Sequence, residues 1–173
     1  MYPIIILTQE MIDQAIKLGP SVKVNRTIAS NIDTVSGILG EFVFAQYMFG
    51  NWKKNRVGEN KGQEDFIDIE IKTSTYPFRD SLNLLVREDY AKKRKPKFYI
   101  QIIFDLYTNN ITDFIPGVRA YISGWAIAED VENAPLRDFG SKFGFAAGYK
   151  CHYIKIKNLN RMENFQSIYN KRS

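Results

Sequence analysis

The chain has 173 residues, which fits one domain and is long enough to bury a substantial core. With 45% hydrophobic and 25% charged residues, composition excludes a wholly disordered chain, and a net charge of +5 permits a polyanionic partner without requiring one. One Cys and one His exclude an internal disulfide framework and a Cys/His zinc site, and they point to a reducing, cytoplasmic setting.

Met1-Tyr2-Pro3-Ile4-Ile5-Ile6-Leu7 is apolar but has no basic stretch before it and no small-residue cleavage site after it. It reads as a strand or an N-terminal staple, and no membrane span is visible anywhere. Thr8 caps a helix over about residues 9–18, with Met11, Ile12, Ala15, Ile16 and Leu18 on its apolar side and Gly19-Pro20 as its stop. Residues 20–30 form a polar connection carrying Lys23, Asn25 and Arg26. A second helix, capped by Asn31 or Asp33, runs to about Phe49 before Gly50, with Val35, Ile38, Leu39, Phe42, Ala45 and Phe49 at helical spacing. Residues 50–62 read as a basic loop with Lys53, Lys54, Arg56 and Lys61.

The next element, about residues 66–75, is a strand. Side chains alternate along a strand, so Ile67, Ile69 and Ile71 are expected to face the core while Asp68, Glu70 and Lys72 share the other face. Residues 80–94 look helical and end in the basic run Lys92-Lys93-Arg94-Lys95 before Pro96. Further strands are expected at 98–104, 121–127 and 153–156, with a Gly-rich loop over 132–148. This order suits an α/β domain with a mixed sheet. The sequence has no P-loop, dinucleotide glycine fingerprint, nucleophile elbow or His-Glu-x-x-His pair.

Two carboxylates beside an ammonium suit a divalent metal and a phosphate, which makes a nuclease the first hypothesis. Mg²⁺ takes oxygen ligands and keeps several waters, so one or two carboxylates and a substrate phosphate suffice. Glu41 stands in the apolar helical run Ile38-Leu39-Gly40-Glu41-Phe42-Val43-Phe44-Ala45, where a carboxylate is costly unless paired or metal-bound. Gln101 interrupts the apolar strand 98–104; it either faces the site, bonding Lys72 or a water, or sits at a sheet edge. Lys53, Lys54, Arg56 and the 92–95 run could follow a phosphate backbone, and Trp52, Tyr76 and Phe78 could stack on bases or belong to the core. His152 reads as structural, and Asp105, Asp113, Glu129 and Asp130 as solvent-facing.

Asp65, followed by Glu70-Ile71-Lys72 and then Thr73-Ser74, resembles the Asp…(Asp/Glu)-x-Lys signature of the PD-(D/E)XK nuclease superfamily. The run Gly37-Ile38-Leu39-Gly40-Glu41-Phe42-Val43-Phe44 resembles the first core helix of many members, which supplies another acid. The resemblance covers about residues 33–75 by motif and the rest by element order. It implies a restriction-endonuclease-like domain over 1–173, with a mixed central sheet flanked by helices. It further implies a Mg²⁺-dependent endonuclease acting on DNA, with Mn²⁺ able to substitute and a homodimer as one arrangement. Asp65, Glu70 and Glu41 would hold the metal, Lys72 would position the nucleophile, Asp68 and Gln101 would lie behind them, and Lys53, Lys54, Arg56, Lys92, Lys93 and Arg94 would touch DNA. Two departures stand out. Glu64 replaces the proline before Asp65, and the acids are five positions apart, too few for the usual hairpin and an odd offset that puts Asp65 on the wrong strand face unless the chain turns. Asp68, already on the face of Glu70, is the rival ligand. The alternative function is a non-catalytic nucleic-acid-binding protein of the same fold.

Overall fold

Residues 1–22, 31–59, 65–93, 95–139 and 150–171 are described by a computed structural model. A four-stranded sheet runs in the order β1 (Ile4–Ile6), β5 (Arg119–Ile127), β4 (Phe98–Phe104), β2 (Ile69–Thr75). β2 and β4 are parallel, and the other pairs are antiparallel, so the sheet is mixed. A smaller antiparallel sheet has the order β3 (Asn83–Arg87), β7 (Lys150–Lys155), β6 (Leu136–Asp138).

Alternation along β4 explains the layering. Phe98, Ile100, Ile102 and Phe104 turn to one face, where they pack with residues of α1 (Gln9–Val22) and α2 (Asn31–Phe49). Tyr99 and Ile103 turn to the other face and pack with Leu84 and Val86 of β3 and Val131 of α4 (Ala128–Glu132). A strand buried on both faces reads as a continuous apolar run, and every residue of β4 is buried. The C-terminal segment closes the helical side: Phe165, at the start of α5 (Phe165–Asn170), is fully buried against Phe44 and Phe98.

Several elements differ from expectation. Residues 80–94 are not one helix but β3 followed by the short α3 (Glu88–Lys93). The alternation of buried Leu84 and Val86 with exposed Leu85 is the strand period, which outweighs the helix-forming charged residues behind it. α1 continues through Pro20 to Val22. The Gly-rich stretch contains β6, and its residues 140–149, like Lys23, Asn25, Arg26 and Lys61, lie outside the described residues. Ile67 is 65% exposed rather than in the core, and buried Phe66 takes that role. Among the described residues, no helix is long and apolar enough to cross a membrane.

The contact that places the site is between α2 and β2. Gly40 lies against the strand so closely that a Cβ there would collide with Thr73 Cγ2 and stand 3.2 Å from Ile71 Cγ2. Gly40→Ala should therefore push α2 off β2 and cost roughly 1–3 kcal/mol, the scale of overpacking a close-packed interior. Urea unfolding measures the loss, and adding Thr73→Ala should restore part of it. Additive costs in the double variant would show that the two side chains do not compete for this space.

Candidate functional site

A tight turn settles the spacing of the two acids. Phe66 and Ile69 exchange both backbone hydrogen bonds, at 3.1 and 3.0 Å, across the two-residue loop Ile67-Asp68. Asp68 occupies the left-handed region at φ 62°, which Asp tolerates better than most residues and which a turn of this kind requires at its second loop position. The chain thus reverses between Asp65 and Glu70, and strand alternation no longer applies across them. Asp65 Oδ2 accepts a hydrogen bond from the Ile71 backbone N–H at 2.6 Å. β2 is an edge strand whose sheet neighbour is β4, so the Asp65 carboxylate docks against the strand that carries Glu70 and Lys72.

Asp68 goes elsewhere. Its carboxylate binds Lys97 Nζ at 2.7 Å, and its carbonyl accepts from Phe98 N at 2.9 Å, which ties the turn to the start of β4. The shared strand face expected for Asp68, Glu70 and Lys72 is therefore kept only by Glu70 and Lys72. Lys72 Nζ lies 3.0 Å from Glu70 Oε1, and the ammonium also stands 5.8 Å from the centre of the Tyr90 ring.

Glu41 joins from α2. Burial, then the neighbouring carboxylates of Asp65 and Glu70, push its carboxyl up to about 9, against a smaller lowering by the Arg56 guanidinium. Glu41, Asp65 and Glu70 thus share one electrostatic environment although they come from a helix, a turn and a strand. Glu41 Oε2 and Glu70 Oε2 are both buried without a hydrogen-bond partner. Orphaned acceptors of this kind are costly, and a cation would satisfy both. Among the described residues, no three His, Cys, Asp or Glu side chains form a ready-made metal cage. A Mg²⁺ ion does not require one, because waters and a substrate phosphate complete its shell, and the two orphaned oxygens fit that donor set.

The other expected residues divide. Gln101 is buried in the middle of β4, in register with Lys72, so it is not at a sheet edge. Its amide nitrogen bonds Ser74 Oγ at 3.4 Å and the Ile102 carbonyl at 3.1 Å rather than Lys72. Arg56 is half-buried and close enough to Glu41 to act on it, and it also pairs with Glu59 at 3.5 Å. Lys53 pairs with Glu10 at 2.9 Å and Lys92 with Glu88 at 3.0 Å, while Lys54 and Lys93 are exposed. Arg94 lies outside the described residues. Trp52 packs on Phe42, and Phe78 stacks on Tyr121 with ring centres 4.0 Å apart, so both serve the core. His152 is buried against the Ala134 carbonyl, as a structural residue. Asp105 is not simply solvent-facing: it accepts from Phe78 N and pairs with Arg119 at 2.8 Å. Tyr90 and Arg87 were not singled out by sequence. They stand together beside Lys72, with the Arg87 guanidinium 4.8 Å from the Tyr90 ring centre; Arg87 ends β3 and Tyr90 lies in α3, and the expectation of one helix over 80–94 gives neither a place near Lys72.

No family model, no curated protein and no solved structure matches this chain.

The crowding of Glu41 has a measurable consequence in the absence of metal. Its folded-state carboxyl, near 9, lies above the ordinary 4.5, so the folded chain holds a proton that the unfolded chain releases. That stabilising term is complete below the ordinary value and is lost as pH rises toward the folded one. Glu41→Gln removes the dependence, so in chelator its stability should gain on the wild type by roughly 1–3 kcal/mol between mildly acidic and mildly alkaline pH. Denaturant unfolding at the two ends of this window checks the gain. Parallel pH profiles would show that Glu41 is not held neutral.

Proposed function

We propose that the chain is a metal-dependent DNA phosphodiesterase of restriction-endonuclease-like, PD-(D/E)XK type, hydrolysing phosphodiester bonds as an endonuclease. The observation that supports this reading best is the convergence of Glu41 with Asp65 and Glu70, two of the three with an orphaned carboxylate oxygen, next to a lysine bonded to Glu70. Buried acceptors are unsatisfied only rarely in structural ion pairs, so two of them side by side with a lysine favour a site that completes itself with a cation and a phosphate.

The residues have distinct tasks in this reading. Glu41, Asp65 and Glu70 hold Mg²⁺ or Mn²⁺. The ion, when bound, polarises a phosphoryl oxygen and lowers the pKa of a coordinated water. Lys72 orients the attacking water and offsets the charge that grows on the phosphorus-bound oxygens in the transition state. Asp65 is held in place by the Ile71 N–H, so one oxygen is fixed and the carboxylate cannot swing away. Arg56, paired with Glu59, and Arg87, held by Asp89 at 2.8 and 3.0 Å, flank this centre and would reach a phosphate only by giving up those partners. Lys54 and Lys93 add exposed positive charge, while Lys53 and Lys92, already paired with Glu10 and Glu88, contribute less. One such centre per chain cuts one strand at a time, so cutting both strands together calls for a homodimer. The buried Cys151 thiol accords with a reducing, cytoplasmic setting.

Cleavage assays with purified variants test the assignment. Lys72→Ala should abolish Mg²⁺-dependent cleavage while DNA binding survives, because the lysine acts on the reacting water more than on the ground-state complex. Asp65→Asn should lower the rate by about a hundredfold or more, the scale of losing a preorganised charged group, and Asp68→Asn should stay close to wild type. Full activity in Lys72→Ala, or no cleavage of any DNA form by the wild type with Mg²⁺ or Mn²⁺, would leave a non-catalytic nucleic-acid-binding protein as the better description.

A further inference from the structure

We infer that the cleft continuing from the catalytic strand receives one unpaired nucleobase of the bound DNA, which makes DNA with a single-stranded or flipped-out base the substrate class. The placement of the neighbouring phosphate rests on the nuclease reading; the fit of a base rests on the cleft alone. The cleft encloses about 410 Å³, within the range of small-ligand sites, and its lining includes Ser74, Tyr76, Asn83, Tyr107 and Phe139.

Position is the first argument. Glu70, Lys72, Ser74 and Tyr76 alternate along one face of the chain, and the cleft takes in Thr73 to Tyr76, so it opens directly beyond the lysine. A phosphate held at Lys72 places its own sugar, and then the base, toward Ser74.

The chemistry of the walls is the second. Tyr76 and Tyr107 meet edge to face with ring centres 5.7 Å apart, and the Arg79 guanidinium covers Tyr76 at 5.1 Å. Tyr107 is 72% exposed, an open aromatic surface of the kind on which bases stack. Asn83 Oδ1 is buried and has no protein partner. An amide oxygen accepts only, so it calls for a ligand N–H such as an exocyclic amine or ring imine of a base.

Charge is the third. None of the described residues lining the cleft is Lys or Arg, and Asp33 is among them. This disfavours a phosphate and suits a neutral ring that donates hydrogen bonds. A base inside an intact duplex has its stacking faces and pairing edge occupied, so only an unpaired base can fill the cleft.

Fluorescence anisotropy with a short labelled single-stranded oligonucleotide, in Ca²⁺ and with each nucleotide in turn replaced by an abasic unit, tests this. The wild type should lose about tenfold in affinity at one position, the scale of one base–aromatic stack. Tyr107→Ala, an exposed site that leaves the core intact, should bind the unmodified oligonucleotide about tenfold more weakly and show no further abasic penalty. Asn83→Leu should behave alike, losing affinity for the intact strand and part of the penalty. A flat abasic scan in the wild type, an unchanged penalty in Tyr107→Ala, or no binding of any oligonucleotide overturns the proposal. Cleavage with Mg²⁺ is read separately. Coupled abasic and Tyr107 losses without cleavage retire the nuclease reading alone, and cleavage with a flat scan retires the base cleft alone.

Discussion

Glu41 is held out of water beside the carboxylates of Asp65 and Glu70, and the cost of ionising it there, burial first and the two neighbouring charges next, is the constraint on which the site depends. In water, charges a few ångströms apart interact by about 1 kcal/mol, but in a partly desolvated setting the same repulsion is several times larger. The fold tolerates it because each acid is positioned by something other than the others. Glu41 is carried by a helix buried along most of its length, Asp65 is clamped by an edge amide, and Glu70 is fixed in the ladder with β4. Glu70 has the Lys72 ammonium in contact, and the Arg56 guanidinium acts on Glu41.

The close approach of α2 to β2 converts this local chemistry into a property of the whole fold. A helix usually stands far enough from a sheet for side chains to interdigitate between them. Here Gly40 removes the intervening atoms, so Glu41, the next residue, is brought toward the edge of β2 where Asp65 and Glu70 meet. The same glycine faces Ile71 and Thr73, which flank Lys72 in sequence. The helix therefore supports β2 from behind while contributing an acid to its edge.

Much of this was legible in sequence where periodicity and burial agree. The helix over 31–49 was marked by its apolar stripe, and Glu41 stood out because a carboxylate has no place in that stripe without a partner. The pairing of Glu70 with Lys72 followed from strand alternation. What was not legible depended on a single backbone dihedral. Ile67 and Asp68 fit the alternating pattern as well as Ile69 and Glu70 do, and nothing in their side chains announces that Asp68 turns the chain at positive φ. That turn exposes Ile67, sends Asp68 to Lys97 and returns Asp65 to the strand edge. Residues 83–87 were misread because the helix-forming cluster after them, Glu88 to Lys93, lent its character to a short strand. The partner of Lys53 is hidden for a different reason: Glu10 lies on another helix, and no sequence period relates the two, whereas Glu88 and Lys92 form an ordinary i,i+4 helix pair.

The turn between the acids also bears on how such sites diverge. Asp65 is oriented by the Ile71 amide and not by its count of residues from Glu70, so a loop of another length could present the same carboxylate if it returned to that amide and gave up the ties of Asp68 to Lys97 and Phe98. The conserved quantity is then a hydrogen bond, not an interval in the chain. The glycine–glutamate step in the helix and the glutamate–x–lysine step in the strand have no such latitude, because each is fixed by its element's own period. A search pattern for distant kin of this chain should hold those two short steps rigid and leave the interval between the aspartate and the strand open.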